Sequence, residues 1–220
     1  MAQAPILDRK KAPMTDRDHL YWLHYRTLES FIARQLPELP TPLLDLGCGA
    51  RPYRSMYPTG KIVGADIFES DIVDLTIAID GSLRFRDNEF GSVFSTQVLE
   101  HVYDTQSFLA EAYRVTRPGG RLLLTVPFVW ELHEEPHDFL RFSRYWLDRK
   151  LREIGYTSIL IQPQGGDIAM IGQVILLVMA RRKKFFSTQV LKLFNQAFDW
   201  ADRRSPTNFF PLNYGVTAVK

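Results

Sequence analysis

A single cysteine, Cys48, stands among the 220 residues, so no disulfide can form within the chain. The opening MAQAPILDRKK lacks the apolar segment that a secretory signal needs. A reduced, cytoplasmic setting is therefore expected. Charge of one sign is scarce as well: 27 Lys and Arg against 25 Asp and Glu leave a formal net charge of only +2. That balance lacks the basic excess of a polyanion-binding surface, which argues against nucleic acid as substrate. Long hydrophobic runs are also missing. Ile168 to Ala180 is interrupted by Gly172 and Gln173 and closed by Arg181-Arg182-Lys183-Lys184, short of the ~18 apolar residues of a membrane-spanning helix. No internal repeat or low-complexity segment is present. What remains is 45% hydrophobic and 13% aromatic, in a length that suits one domain with a full core.

The order of patterns predicts strands alternating with helices. Thr15 or Asp16 can cap a first helix towards Leu36, carrying Leu20, Leu23, Leu28, Phe31 and Ile32, with Pro37 and Pro40 ending it. TPLLDLG (41–47) and KIVGADI (61–67) read as buried parallel strands, with further strands at 72–79 and 92–97. Asp104 can cap a helix to Thr116, stopped by Pro118-Gly119-Gly120, and RLLLTVPF (121–128) follows as a strand. Ser143 can cap a helix ending at Gly155, ahead of strands at 156–162 and 214–219. The expected fold is α/β: a Rossmann-like, doubly wound sheet of about seven strands, mostly parallel with an antiparallel last strand, plus a helical insertion. The expected organisation is a single domain over 1–220: an N-terminal helix (1–40), a cofactor-binding core (41–164), a helical insertion (165–212) and a last strand (213–220).

LLDLGCGARPY (43–53) is the most informative segment, because an apolar strand runs into Asp45 and then Gly47-Cys48-Gly49. Two glycines one residue apart let the backbone turn sharply and approach a ligand. A dinucleotide fingerprint would place a third glycine where Pro52 stands. Asp66, at the end of the second strand, can accept the ribose hydroxyls of a nucleoside. The charge of Asp45 would repel a pyrophosphate and attract a sulfonium with an ammonium. The pattern favours S-adenosylmethionine over NAD; a bare strand-to-helix turn is the bland alternative.

These residues resemble the class I S-adenosylmethionine-dependent methyltransferases. LLDLGCGA is similar to their first motif, GADI ending in Asp66 to the second, and the span 79–102 to the next two, with Arg84 where the family often has proline. RPGGRLLLTVP (117–127) resembles their helix-to-strand segment. The resemblance implies a cofactor set of Asp45, Gly47, Cys48, Gly49, Asp66, Ile67, Asp80, Gly81 and Gln97, with Asp80 at the adenine amine.

Methyl transfer from a sulfonium is an in-line displacement that needs mainly positioning, and histidine is the natural base for a hydroxyl acceptor. His101, after the fourth strand, and His133 and His137, in WELHEEPHDFLRFS after the fifth, lie at the sheet edge where ligands bind. His101, His137 and Asp138 are the catalytic candidates, and for His101 a hydrogen-bonded residue at the start of a helix is an equal reading. The loop also resembles a segment of methyltransferases associated with bacterial cell-surface polysaccharides. No metal is expected, since the spacing of His133, Glu134, Glu135, His137 and Asp138 matches no metal motif. Cytosine C5 chemistry would need a cysteine nucleophile, and Cys48 lies in the glycine loop. Ser95-Thr96-Gln97-Val98 is unlike the Asn-Pro-Pro-Tyr segment of amino-group enzymes.

The expected reaction is O-methylation of a small or lipid-linked acceptor, such as a glycan hydroxyl. A non-catalytic cofactor- or partner-binding module is the alternative, and Pro52 and Asp45 disfavour a dehydrogenase. The insertion repeats Phe186, Val190, Leu193, Phe194, Ala197 and Trp200 at helical spacing after its basic cluster. It reads as a lid, as a peripheral contact of 168–200 with the inner membrane, or as a packed hairpin or dimer surface.

Overall fold

The computed structural model describes residues 16–78, 82–182 and 187–220. Seven strands form one sheet among them: β1 (Leu43–Leu46), β2 (Ile62–Asp66), β3 (Leu75–Thr76), β4 (Phe90–Thr96), β5 (Thr116–Pro127), β6 (Thr157–Gln164) and β7 (Asn213–Val219). Their order is β3-β2-β1-β4-β5-β7-β6. β1 to β5 pair in parallel, whereas β7 runs antiparallel to both β5 and β6. The expected α/β sheet with its antiparallel last strand is present.

Alternation along the strands feeds two cores. Leu43, Phe94 and Leu123 pack with Leu28, Phe31 and Ile32 of α1 (Trp22–Gln35) on one face. Leu44, Val93, Leu122 and Leu124 pack on the other with Phe108 and Leu109 of α2 (Thr105–Val115) and Leu147 and Leu151 of α3 (Arg144–Ile154). Successive strand residues point to opposite faces, so a sheet covered on both sides reads as continuous apolar sequence.

The predicted caps at Asp104 and Ser143 are present: Asp104 accepts from the Ser107 amide and Ser143 from the Trp146 amide. Gly155 closes α3 at φ +120°. α1 begins later than expected, because residues 16–21 form turns in which the His19 amide donates to the Asp16 carbonyl and Trp22 to that of His19. Thr15 lies outside the described residues. β3 is shorter than the predicted 72–79, since its approach is a turn tied by the Asp74 carboxylate to the Gly64 amide; Ile79 lies outside the described residues. α2 ends at Val115 with Thr116 as its C-cap, as expected ahead of Pro118-Gly119-Gly120, but β5 begins at Thr116 rather than at 121. Gly119 donates to the Lys220 carbonyl and Lys220 to that of Gly120, which extends the ladder through the turn.

The insertion folds as α4 (Asp167–Arg181) and α5 (Thr188–Arg204). Polar side chains fasten its inner side to α1 and the turns before it: Gln173 donates to the Leu20 carbonyl, Asn195 to those of Arg17 and His19, and Arg26 pairs with Asp199. No helix among the described residues is long and apolar enough to cross a membrane.

Candidate active site

The strand order reverses between β1 and β4, and in open α/β sheets the ligand crevice lies at such a switch point, beyond the carboxyl ends of the strands. Gly47 turns the chain at φ +76°, and its amide and that of Cys48 donate to the Ala65 carbonyl. A Cβ on Gly47 would collide with the Val98 side chain, which puts the β1 loop in contact with the turn after β4. Gly49 (φ +48°) differs: a Cβ there meets no atom within 4 Å. Its amide donates to Asp66 Oδ2 at 2.8 Å, while the Phe68 amide donates to Oδ1 at 3.0 Å. The tip of β2 thus buttresses the glycine loop, and Ile67 beside it is exposed.

No α-helix follows this loop; the chain passes through a short 3₁₀ turn, Arg54–Met56, before β2. A dinucleotide pyrophosphate relies on the amides and dipole of such a helix N-terminus. The crevice therefore lacks the feature that would hold a diphosphate.

Asp45 lies beneath the loop, almost wholly buried, and accepts a hydrogen bond from the Tyr57 hydroxyl. Burial pushes its carboxyl up to about 7, against the opposing pull of Tyr57 and Arg51. The negative charge anticipated from sequence is thus only partly developed at neutral pH without a ligand. Burial, together with Asp45, also raises the Cys48 thiol to about 11, so it stays protonated. Gln97 adopts φ +53°, its amide donating to the Thr125 carbonyl and its side chain to Thr125 Oγ1. Asp80 and Gly81 lie outside the described residues.

Beyond Val98, a 3₁₀ turn (Leu99–His101) meets the loop after β5. The Phe139 and Leu140 amides donate to the Glu100 carbonyl, and His101 Nδ1 donates to that of His137 at 2.8 Å. The His137 ring itself is exposed, against Phe139. The ring facing His101 is His133, with centroids 4.7 Å apart. Asp138 is buried under a two-pronged contact from Arg141 at 2.6 and 2.8 Å and accepts from the His133 amide. Burial alone would raise the Asp138 carboxyl; Arg141 and His133 outweigh it and hold it below the usual range. Burial lowers the His133 imidazole despite the neighbouring Asp138.

Of the sequence candidates, Asp45, Gly47, Cys48, Gly49 and Asp66 come together at the first two strands, with Gln97 at the end of β4. His101 and Asp138 share the second cluster with the backbone, not the ring, of His137. Glu100 and Arg141 belong to that cluster and were not among the candidates; His133, which the sequence places at this edge without a catalytic role, joins them. The Pro-His-Asp run drew attention to His137, whereas the side-chain directions in an irregular loop follow no sequence period.

Solved structures with this architecture include an S-adenosylmethionine-dependent methyltransferase from Archaeoglobus fulgidus, with a TM-score of 0.59 at 16% identity over 91% of this chain and 98% of that one. This is the fold of S-adenosylmethionine-dependent methyltransferases. Residues 44–124 match the family model described as a methyltransferase domain, from β1 into β5. The Haemonchus contortus phosphoethanolamine N-methyltransferase 2, solved with S-adenosyl-L-methionine, gives a TM-score of 0.55 at 16% identity, covering 91% of this chain and 56% of that one. In sequence, the ubiquinone/menaquinone biosynthesis C-methyltransferase UbiE of Desulfotalea psychrophila is 35% identical over 95 residues, 36% of this chain and 38% of its own. A demethylmenaquinone methyltransferase of Symbiobacterium thermophilum is 28% identical over 123 residues, 47% and 46% respectively. The chain spans less than half the length of these curated relatives. The match to the family model thus runs from β1 into β5.

Proposed function

We propose that the chain is an S-adenosylmethionine-dependent methyltransferase that transfers the methyl group to a hydroxyl of a small or lipid-linked acceptor, such as a glycan. One observation carries the cofactor reading: Asp66 is bonded to the Gly49 amide at the edge of open space, on a loop with no helix behind it. Such a site suits a nucleoside whose ribose is held by a carboxylate and which brings no phosphate. Asp45 gains its full negative charge when a cationic ligand arrives, because an opposite charge nearby favours the ionised carboxylate. Cys48, Ile67, Asp80, Gly81 and Gln97 complete the proposed cofactor set.

The methyl group is displaced in line from sulfur, so the protein's part is to hold the acceptor oxygen behind it and receive its proton. His101, His137 and Asp138 are assigned to that side. Asp138 fixes the loop through Arg141, and the His137 carbonyl fixes the tautomer of His101. The hydroxyl acceptor rests on elimination and on the likeness of 130–143 to polysaccharide-associated methyltransferases. The relatives named above methylate different atoms of different acceptors, so none supplies the substrate. A cytoplasmic enzyme that touches the inner membrane through α4 and α5 would meet a lipid-linked acceptor there.

The test is incubation of purified chain with methyl-labelled cofactor and cell extracts, followed by a search for products heavier by one methylene. His137→Ala should bind S-adenosylhomocysteine normally and lose turnover. Unchanged turnover would remove the His137 ring from the mechanism, and the absence of any methylated product would remove the activity.

A further inference from the structure

We propose that Glu100, His101 and His133 form a binding site for a divalent transition cation of the zinc type beside the glycine loop. Two imidazoles and one carboxylate are a donor set that such cations take readily, leaving a position open. One ligand atom from each of the three lies within 4.8 Å of the others.

The protonation pattern suits ligation. His101 Nδ1 faces the His137 carbonyl at 2.8 Å, and His133 Nδ1 faces the Glu131 carbonyl at 3.1 Å. A carbonyl only accepts, so each Nδ1 carries the proton and each Nε2 keeps its lone pair. Metal-bound histidines commonly spend their second nitrogen in this way, on a carbonyl or a carboxylate. Asp138 Oδ2 stands 3.3 Å from His133 Nδ1, itself locked by Arg141.

His101 Nε2 is buried and makes no hydrogen bond. Its nearest acids are Glu134 Oε2 at 3.6 Å and Glu100 Oε1 at 3.8 Å. Those spans are too long for a hydrogen bond. Two ligands bound tetrahedrally at about 2.0 Å stand about 3.3 Å apart, so Glu100 Oε1 and His101 Nε2 need to close by about half an ångström and no pair of the set by more than about 1.5 Å. Glu100 is fully buried, whereas the Glu134 side chain is half exposed and stands within reach as a fourth ligand. The backbone bonds from 139 and 140 to the Glu100 carbonyl hold the two loops together.

The binding itself does not depend on the methyltransferase reading; with the cation bound, His101 Nε2 is a ligand and cannot also receive a proton, which leaves the proton of an acceptor hydroxyl to His137 in that reading. The untagged full chain, stripped of metal, is titrated with Co²⁺ and followed by its visible absorption, and with Zn²⁺ by equilibrium dialysis. One equivalent should bind. His133→Ala and Glu100→Gln should each weaken it at least ten-fold, and His19→Ala should not. Circular dichroism establishes that each variant folds. No bound equivalent in the wild type, or equal affinity in a folded His133→Ala, would overturn the site. Calorimetry with S-adenosylhomocysteine on the same preparation separates the two claims: cation binding without nucleoside binding would leave the metal site standing and remove the methyltransferase.

Discussion

The two glycines of the loop after β1 look equivalent in sequence and are not. Gly47 combines φ +76° with the Val98 side chain where a Cβ would go, whereas Gly49 at φ +48° borders open space. Gly47→Ala should therefore lower folding stability by about 2 kcal/mol or more, from backbone strain and overpacking together. Gly49→Ala should cost about 1–2 kcal/mol from its left-handed backbone alone, yet weaken S-adenosylhomocysteine binding, because its Cβ enters the ligand's space. Urea denaturation and calorimetry on both variants measure the two effects. Asp45 makes a pH-dependent prediction. Its folded value, near 7, exceeds the ordinary carboxylate value of 3.8, so the folded state holds a proton that the unfolded chain releases. The associated stability is complete below the unfolded value and is lost as pH rises towards 7. Between pH 5 and 8 the wild type should lose about 2 kcal/mol through this group. Asp45→Asn should remove that slope in denaturation curves at the two pH values, and a slope unchanged in the variant would mean that another group carries it.

At the scale of elements, the regular segments were legible and the irregular ones were not. Apolar runs at 43–46 and 62–66 and caps at Asp104 and Ser143 follow from local chemistry that acts within a few residues. β3 and the start of α1 depend on tertiary bonds, from Asp74 and from the turns at 16–21, that no local pattern announces. α4 and α5 were legible as helices, but their packing was not. Their anchors to the N-terminal turns include the polar residues Gln173 and Asn195, beside the buried Ala169, Leu176 and Leu177 of α4. Their outer faces leave Ile171, Val178, Val190, Leu193 and Trp200 exposed, with Phe209 and Phe210 beyond. Arg204 lies over the Trp200 ring, and Arg182 ends α4. An apolar face edged with cations suits an anionic bilayer surface. The chain should float with anionic liposomes at low salt, and Leu193→Glu with Trp200→Glu should abolish this. A wild-type chain that stays in the soluble fraction would leave the hairpin a packing device.

For the whole molecule, the sheet order places the β1 and β4 loops side by side at the reversal point, and the rest of the site grows from that edge. This much could be read from the sequence, because a strand ending in Gly-x-Gly and a second ending in Asp fix neighbouring positions in a parallel sheet. The histidine side could be located to its two loops but not resolved into roles. Which imidazole turns inward is decided by carbonyls at Glu131 and His137, contacts that leave no side-chain signature. The central claim is a phosphate-free nucleoside site built on Asp66 and Gly49. Calorimetric titration with S-adenosylhomocysteine and with NAD, on the wild type and on Asp66→Ala, tests it most directly. The account predicts binding of the homocysteine nucleoside to the wild type, at least ten-fold weaker binding to Asp66→Ala, and no measurable NAD binding. Tighter binding of NAD, or an affinity for S-adenosylhomocysteine indifferent to Asp66, would contradict it.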